Sequence, residues 1–349
     1  MFNRLYRQFS NDIGIDLGTA NTLVYLRGRG IVINEPSVVA LNTKTNRVVA
    51  VGSDAKSMMG RTPAHIRIVR PLVDGVISDY EVTEEMLSYL INKANEIDKK
   101  IFRPRVVIGI PVGITNVEMR AVYDAAKSAG AREVYIVEEP MAAAIGVHMP
   151  IHDAVGSMIV DIGGGTTDIA VIALSGVVRS KSIKIAGDKL TEDIITYMRD
   201  EFKMLIGEKT GEYVKMHIGS ATPDENTQEL SVKGRDLITG LPREAIITDV
   251  DIREAMYASV SQLVEAIKEV LETTPPEVLS DIMVKGMILS GGGALIKNIP
   301  QLLEMQLKVP VTIADDPLTA VARGTGIILE DIARFKDVLV RNPDDISIR

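Results

Sequence analysis

The chain contains no cysteine, which excludes a disulfide framework and any thiolate metal site. Its four histidines, His65, His148, His152 and His217, are scattered, so a histidine-based metal centre is not expected. His148 and His152 share a helical spacing, but Pro150 lies between them and marks a loop. Basic residues are outnumbered, 39 Lys and Arg against 47 Asp and Glu, for a net charge of −8; non-specific nucleic-acid binding is not expected of such a surface. No apolar run approaches the ~18 residues of a membrane span. No signal-peptide core is present either, so the expected setting is cytoplasmic. What remains is a 349-residue chain, 46% apolar and 25% charged, which is the composition of a globular protein with length for two ordinary domains.

The stretch that organises the chain is Asp161-Ile162-Gly163-Gly164-Gly165-Thr166-Thr167-Asp168. Apolar Met158-Ile159-Val160 precedes it and Ile169-Ala170-Val171-Ile172 follows, which reads as strand, tight turn, strand. Three successive glycines cost conformational entropy on folding. A ligand role accounts for that cost, because exposed main-chain N–H groups form an anion-binding nest. An acid at the strand end suits a divalent cation held beside phosphate oxygens. The plainer reading is a hairpin whose glycines serve turn geometry alone.

The layout recurs. Asp16-Leu17-Gly18-Thr19-Ala20-Asn21-Thr22 lies between Ile13-Gly14-Ile15 and Leu23-Val24-Tyr25-Leu26. Asp16 then matches Asp161, Gly18 matches Gly163 and Thr22 matches Thr167. A second pair, Glu138-Glu139-Pro140 and Asp315-Asp316-Pro317, follows a β-rich run and opens an alanine-rich helical stretch in each case. Such repeats imply two similar α/β halves, each presenting a phosphate hairpin to the other.

Between these landmarks the pattern predicts a small insertion of short elements over 31–76 and a helix over 83–97 with Thr83 as N-cap. It predicts a buried strand over 105–110 and a helix over 116–129 stopped by Gly130. A larger insertion opens at Gly187-Asp188, with helices over 191–205 and 211–219 and strands over 230–236 and 245–248. A long helix follows over 250–273. A third glycine run, Ser290-Gly291-Gly292-Gly293, lies between a strand over 287–289 and a helix over 294–305. That is the geometry of anion approach at a helix N-terminus, although the run alone is a weak signal. The last helix, 319–340, reads as a packing face.

Taken in order, DLGTANTLVYL, NEPSVVA, GRTP, RPLVDGVI, PRVVIGIPVG, EEPMAAAIG, DIGGGTTDIAVI, GEKT, TGLPR and LSGGGALI resemble the MreB family of bacterial actins almost end to end. That family, with its close paralogue group Mbl, belongs to the actin/sugar-kinase/heat-shock-chaperone ATPase superfamily. The resemblance implies an α/β, actin-like ATPase fold: two duplicated RNase-H-like domains, each with a smaller inserted subdomain, around one ATP and Mg²⁺. The implied parts are subdomain IA (11–38, 73–146, 320–349), IB (39–72), IIA (147–186, 249–319) and IIB (187–248), after an N-terminal segment 1–10. Carried over, Thr19, Ala20 and Asn21 meet the phosphates from one half and Gly163, Gly164 and Gly165 from the other. Asp16 and Asp161 act on the metal through water. Thr210, Gly211, Glu212, Tyr213 and Lys215 line the adenosine side, and Ser290, Gly291, Gly292 and Gly293 close the pocket. Glu138, Asp161 and Thr166 are the catalytic set, with Glu138 orienting the attacking water. The plainer reading of Glu138 is an acid favoured by a helix N-terminus; that of Glu212 and Lys215 is a solvated helix face.

The implied function is an ATP-dependent filament that maintains rod shape beneath the membrane by guiding cell-wall synthesis. Its implied partners are copies of itself, the cell-wall elongation machinery and membrane-anchored adaptor proteins. A small-molecule kinase of the same superfamily is the alternative, but no acceptor motif stands out. A chaperone-type ATPase would need a separate peptide-binding domain. At helical spacing Phe2, Leu5, Tyr6 and Phe9 fall on one arc away from Arg4 and Arg7. This is the pattern of an interfacial helix on an anionic membrane surface, with a docked or frayed tail as its plainer reading. Ile101-Phe102 is a candidate second contact. The expected location is the inner face of the cell membrane.

Overall fold

The structure, a computed structural model, describes residues 10–97 and 102–340. Two sheets carry the architecture. The first contains β1 (Ile13–Leu17), β2 (Asn21–Leu26), β3 (Gly30–Pro36), β4 (Arg105–Ile110) and β5 (Glu133–Glu138), with the short strand Leu339–Val340 at its edge beside β5. The second contains β6 (Ser157–Ile162), β7 (Thr167–Ala173), β8 (Gly176–Ile183), β9 (Met287–Ser290) and β10 (Val311–Ile313). Their pairing is the same. β1 runs antiparallel to β2 and parallel to β4, and β6 runs antiparallel to β7 and parallel to β9. In each sheet the hairpin's second strand adds a third antiparallel one, and the parallel side is extended by a further parallel strand. The actin-like duplication read from the motifs is therefore a duplication of topology.

Helices cover these sheets. α1 (Tyr80–Ile97) and α2 (Asn116–Ser128) belong to the first lobe, and α3 (Glu139–Gly146) leaves the end of β5. α4 (Gly187–Asp200), α5 (Glu208–Ile218) and α6 (Asp249–Glu272) belong to the second, and α7 (Ala320–Glu330) follows β10. α2 and α6 begin at capping boxes, Thr115 with Glu118 and Thr248 with Asp251, which satisfy the otherwise orphaned first N–H groups. α3 and α7 cross with their backbones in contact. A Cβ on Gly146 would lie 1.9 Å from Ala320 O and one on Gly324 1.8 Å from Ala142 O, so only glycine permits this approach. The layer they form shares one core with Val107 and Val137 of the first sheet and Ile159, Ala170 and Ile172 of the second, joining the lobes at their base. Each lobe has its own core as well.

Each lobe carries a small antiparallel sheet. The first, built of Val39–Asn42, Arg47–Val51 and Ile66–Val69, is inserted after β3; the second, built of Met204–Leu205, Glu229–Asp236 and Pro242–Thr248, is inserted after β8.

Several boundaries differ from the sequence reading. α1 starts at Tyr80, so Thr83 is not its N-cap: Asp79 accepts the Val82 N–H, while the buried Thr83 hydroxyl donates back to Asp79 O. α4 starts at Gly187 and ends at Asp200, and residues 204–205 are strand. No helix spans 294–305. A 3₁₀ turn at Gly292–Leu295 precedes a helix at Ile299–Leu307, so the third glycine run does not open an α-helix. The final helix stops at Glu330, and Leu339–Val340 pairs antiparallel with β5. The packing face survives in the shorter helix, with Ile328, Leu329 and the following Phe335 buried.

Candidate functional site

The turns of the two hairpins touch. A Cβ on Gly164 would lie 2.6 Å from Ala20 Cβ, and one on Gly165 2.5 Å from Thr19 Oγ1. None of Gly163, Gly164 and Gly165 has a left-handed backbone. Their lack of side chains admits the opposing turn, so turn geometry alone does not require them. The Gly163 N–H closes the turn by donating to Thr166 O at 2.9 Å, which leaves the N–H groups after it for an anion. The Thr19 hydroxyl accepts the Gly75 N–H at 2.9 Å. Thr166 is buried, with its γ-methyl in the space against Gly75. Ala20 and Asn21 are exposed.

Beneath these turns the hairpins bring acids together. Asp161 stands directly opposite Asp168 on the neighbouring strand, whereas Asp16 stands opposite Leu23. Ser290 Oγ donates to Asp161 Oδ1 at 2.7 Å. The Val112 N–H, from the first lobe, donates to Asp168 Oδ1 at 2.9 Å. The other oxygen, Asp168 Oδ2, is buried with no partner among the described residues. Withdrawal from water, then the nearby Asp161 charge, push the Asp16 carboxyl up to about 8. Burial raises Asp161 to about 6 against the opposing Ser290 hydrogen bond. Asp168 is raised to about 6 by burial, against the Val112 amide and then the Ser182 and Thr166 hydroxyls.

The Glu138-Glu139 doublet divides between two environments because α3 begins inside it. Glu138, at the end of β5, is half-buried, and burial followed by the Asp168 charge raises its carboxyl. Glu139, the first residue of α3, is buried. Its carboxyl is raised by burial first and then by Asp168, Asp16 and Asp161. Sequence reasoning chose Glu138 and passed over Glu139. The doublet itself was the available signal, but which acid turns inward depends on where the helix starts.

The residues read as lining the adenosine side all lie on or at α5, yet they point in different directions. Lys215 Nζ donates to Gly187 O at 2.7 Å and pairs with Glu212 at 2.7 Å. Burial would raise Glu212, but Lys215 and the Thr191 hydroxyl outweigh it and hold the carboxyl below its usual range. Gly187 N–H in turn donates to Gly163 O at 3.1 Å. Lys215, with its side chain 9% exposed, therefore braces the start of α4 against the glycine turn, and Glu212 pairs with it from a half-exposed position. Gly211 faces α4, where a Cβ would meet Ile195 at 2.9 Å, while Thr210 is partly exposed and exposed Tyr213 stacks on His217 with ring centroids 3.8 Å apart. Ser290 reaches Asp161. Gly291 (φ 78°) and Gly293 let the chain pass over Ile162, with added Cβ atoms at 2.3 Å from Ile162 O and 2.2 Å from Ile162 Cγ2; Gly292 is exposed. Of the membrane candidates, Phe2, Leu5, Tyr6, Phe9 and Ile101 lie outside the described residues. Phe102 is exposed and forms a parallel bridge with Ser10.

A cleft lined by two hairpin turns, with a group of carboxylates beneath them, suits a nucleoside phosphate bound with a divalent cation. The open Asp168 oxygen and the raised Asp16 and Asp161 carboxyls call for positive charge or protons. Among the described residues no three acids or histidines are placed to hold an ion directly.

Duplicated α/β lobes that pair a hairpin turn from each half at one acid-lined cleft define the class of actin-like nucleotide-binding proteins. The sequence profile described as MreB/Mbl protein matches residues 10–337, and the chain belongs to that family. It is 50% identical over 328 residues to the cell shape-determining protein Mbl of Bacillus subtilis, covering 94% of this chain and 98% of that one. It is 50% identical over 336 residues to the cell shape-determining protein MreB of Escherichia coli, covering 95% and 97%. The crystal structure of MreB5 of Spiroplasma citri bound to ADP superposes with a TM-score of 0.88 at 40% identity, covering 97% of this chain and 99% of that one; the same protein is also known bound to AMPPNP. The MamK double helical filament shares the fold, with a TM-score of 0.79 at 24% identity over 92% of this chain and 99% of that one.

Proposed function

We propose that this chain binds ATP with Mg²⁺ between its two lobes, hydrolyses it, and assembles into actin-like filaments that maintain cell shape by organising cell-wall synthesis. The observation that carries the reading is the contact of the two hairpin turns above a shared set of buried acids. The nucleotides bound by MreB5 and the shape-determining role named for Mbl and MreB support it. In this reading the glycine turn 163–165, through the N–H groups of Gly164 and Gly165, holds the phosphate chain with Thr19, Ala20 and Asn21, while Gly163 N–H closes the turn on Thr166 O. Asp16 and Asp161 take the water shell of Mg²⁺, with Ser290 fixing the Asp161 carboxylate. When bound, Mg²⁺ supplies positive charge beside the phosphate oxygens.

For hydrolysis, Glu139 is the better-placed carboxylate to orient a water and accept its proton. It is buried among the site acids, and that burial, with the neighbouring Asp168, Asp16 and Asp161 charges, strengthens its hold on a proton. Glu138 then acts from farther out, and Thr166 adds a hydroxyl at the turn. Assembly responds to nucleotide because closure around one phosphate chain moves two lobes.

Among the described residues no helix is long and apolar enough to cross a membrane. The proposed attachment is peripheral, through the N-terminal segment and residues 101–102 on an anionic inner surface. Ser10 bridges to Phe102, and buried Asp12 is gripped by Arg105, whose Nε donates at 3.0 Å. The described residues that adjoin the two proposed lipid contacts, Ser10 and Phe102, are therefore neighbours. Many weak anchors along a filament gain avidity. Adaptor proteins and the wall-synthesis machinery are the proposed further partners.

High-speed sedimentation with ATP·Mg²⁺, with ADP and with neither, alongside phosphate release, tests the reading. The expected result is nucleotide hydrolysis with more polymer in ATP than in ADP. ATP turnover that depends on an added sugar, without sedimentation, would replace it with a small-molecule kinase.

A further inference from the structure

Two short segments face each other across the cleft mouth. On the first lobe, residues 70–75 connect the small inserted sheet to α1. On the second, residues 184–188 run from the end of β8 into the first turn of α4. Arg70 crosses to the second lobe, where Nη1 meets Asp188 Oδ2 of that segment at 3.3 Å and Nη2 pairs with Glu208 at the start of α5. The reverse pair, Lys184 with Asp74 at 3.5 Å, crosses in the opposite sense. The space beneath, about 470 Å³, is lined by Gly165 together with Arg70, Asp74, Lys184 and Asp188.

Each segment is also tied to the hairpin turn of its own lobe. Gly75 N–H donates to Thr19 Oγ1 at 2.9 Å. Gly187 N–H donates to Gly163 O at 3.1 Å and Asp188 N–H to Gly164 O at 2.8 Å. The residues that grip one another over the mouth are thus within a few bonds of the two turns beneath it.

We propose that residues 70–75 and 184–188 are paired straps that close the cleft mouth and set how long a nucleotide stays bound, with Arg70 as the main fastening. The inference rests on the nucleotide site proposed above. Arg70 presents a rigid fork to two acids, which a lysine could not reproduce. The pairs are partly exposed, with Arg70 32% and Asp188 37% accessible. Each is therefore weak and screened by salt. A fastening of that strength can open on each round of exchange. Opening it frees Asp188, whose backbone holds Gly164, so release at the mouth loosens the phosphate turn.

Two readouts test this. The first is the release rate of a fluorescent ATP analogue from the full-length protein, chased with unlabelled ATP·Mg²⁺. Arg70→Ala is expected to release about three- to tenfold faster at low salt. The difference should close at ~0.5 M salt, and the reversed pair R70E/E208R, which leaves Asp188 beside a like charge, should recover only part of the slow rate. Equal low-salt rates for wild type and Arg70→Ala, both binding the analogue, would overturn the straps.

The second readout needs no nucleotide. The chain has no cysteine, so dyes on Thr45→Cys and Thr239→Cys, at the exposed tips of the two small sheets, report the width of the mouth by energy transfer. Arg70→Ala should broaden and lengthen that distance. If wild type binds no nucleotide yet the variant opens, the straps stand and the nucleotide reading fails. If the distance is unchanged, the straps fail whatever binds.

Discussion

The two hairpin turns occupy equivalent places in equivalent sheets but are built from opposite materials. The first carries side chains, Thr19, Ala20 and Asn21; the second is Gly163-Gly164-Gly165. Each explains the other, because Thr19 and Ala20 fill the space that Gly164 and Gly165 leave open. The acids beneath differ in the same way. Asp16 faces Leu23 across its hairpin, while Asp161 faces Asp168 and holds Ser290. With a hydroxyl donor Asp161 reaches about 6, and Asp16, with burial and a neighbouring charge, about 8. A duplicated scaffold makes one site only when its halves are unequal, since two bulky turns would collide and two bare ones would leave a gap.

The largest expected effect falls within the glutamate doublet. Glu139→Gln should lower ATP turnover by about 10²–10³-fold with nucleotide binding retained, whereas Glu138→Gln should cost less than about tenfold. Single-turnover hydrolysis beside equilibrium binding measures both, and the reverse ranking would return the water-orienting role to Glu138. Next is the contact of the turns. Gly165→Val drives a branched side chain into Thr19, and overpacking of about 1–3 kcal/mol is expected to lower both the melting temperature and nucleotide affinity. Ala20→Gly on the facing turn should change each far less. Comparable losses from both variants would mean that the turns are not complementary.

Asp161→Ala should weaken Mg²⁺-dependent ATP binding by about tenfold, from one lost charge-assisted contact, while ATP binding without metal changes little. An unchanged metal dependence would remove Asp161 from that role.

The smallest effect is on pH. Asp16 is raised to about 8 in the folded chain against an ordinary 3.8. Between those values the folded state holds a proton that the unfolded state has lost. This contribution is therefore full below about 4, declines as pH rises and is gone above about 8. Nucleotide-free wild type should lose melting temperature from pH 6 to 8, and Asp16→Asn should lose measurably less. Parallel curves for the two proteins would show that Asp16 titrates normally.

Both hairpins were legible in the residues, because alternation of apolar positions and a glycine turn are local signals. So were the strand at 105–110, the long helix after Thr248 and the pairing of Glu138-Glu139-Pro140 with Asp315-Asp316-Pro317. Boundaries were less legible where a tertiary bond moved them. Thr83 has an N-cap's chemistry, but Asp79 holds the cap position and Thr83 is buried against Pro71. The glycines after Ser290 look like the entrance to a helix, and their task is to cross Ile162.

The sequence by itself determined that the chain is a duplicated α/β protein with two acid-led hairpin turns, because those features depend on residues close together along the chain. Only the tertiary structure decided that Glu139 turns inward, that Lys215 braces the second turn, that Gly164 and Gly165 are bare to admit Thr19 and Ala20, and that Arg70 meets Asp188 across 118 positions of sequence. Helix phase and contact between distant segments are fixed by packing, and packing between two lobes leaves no periodic trace in either one.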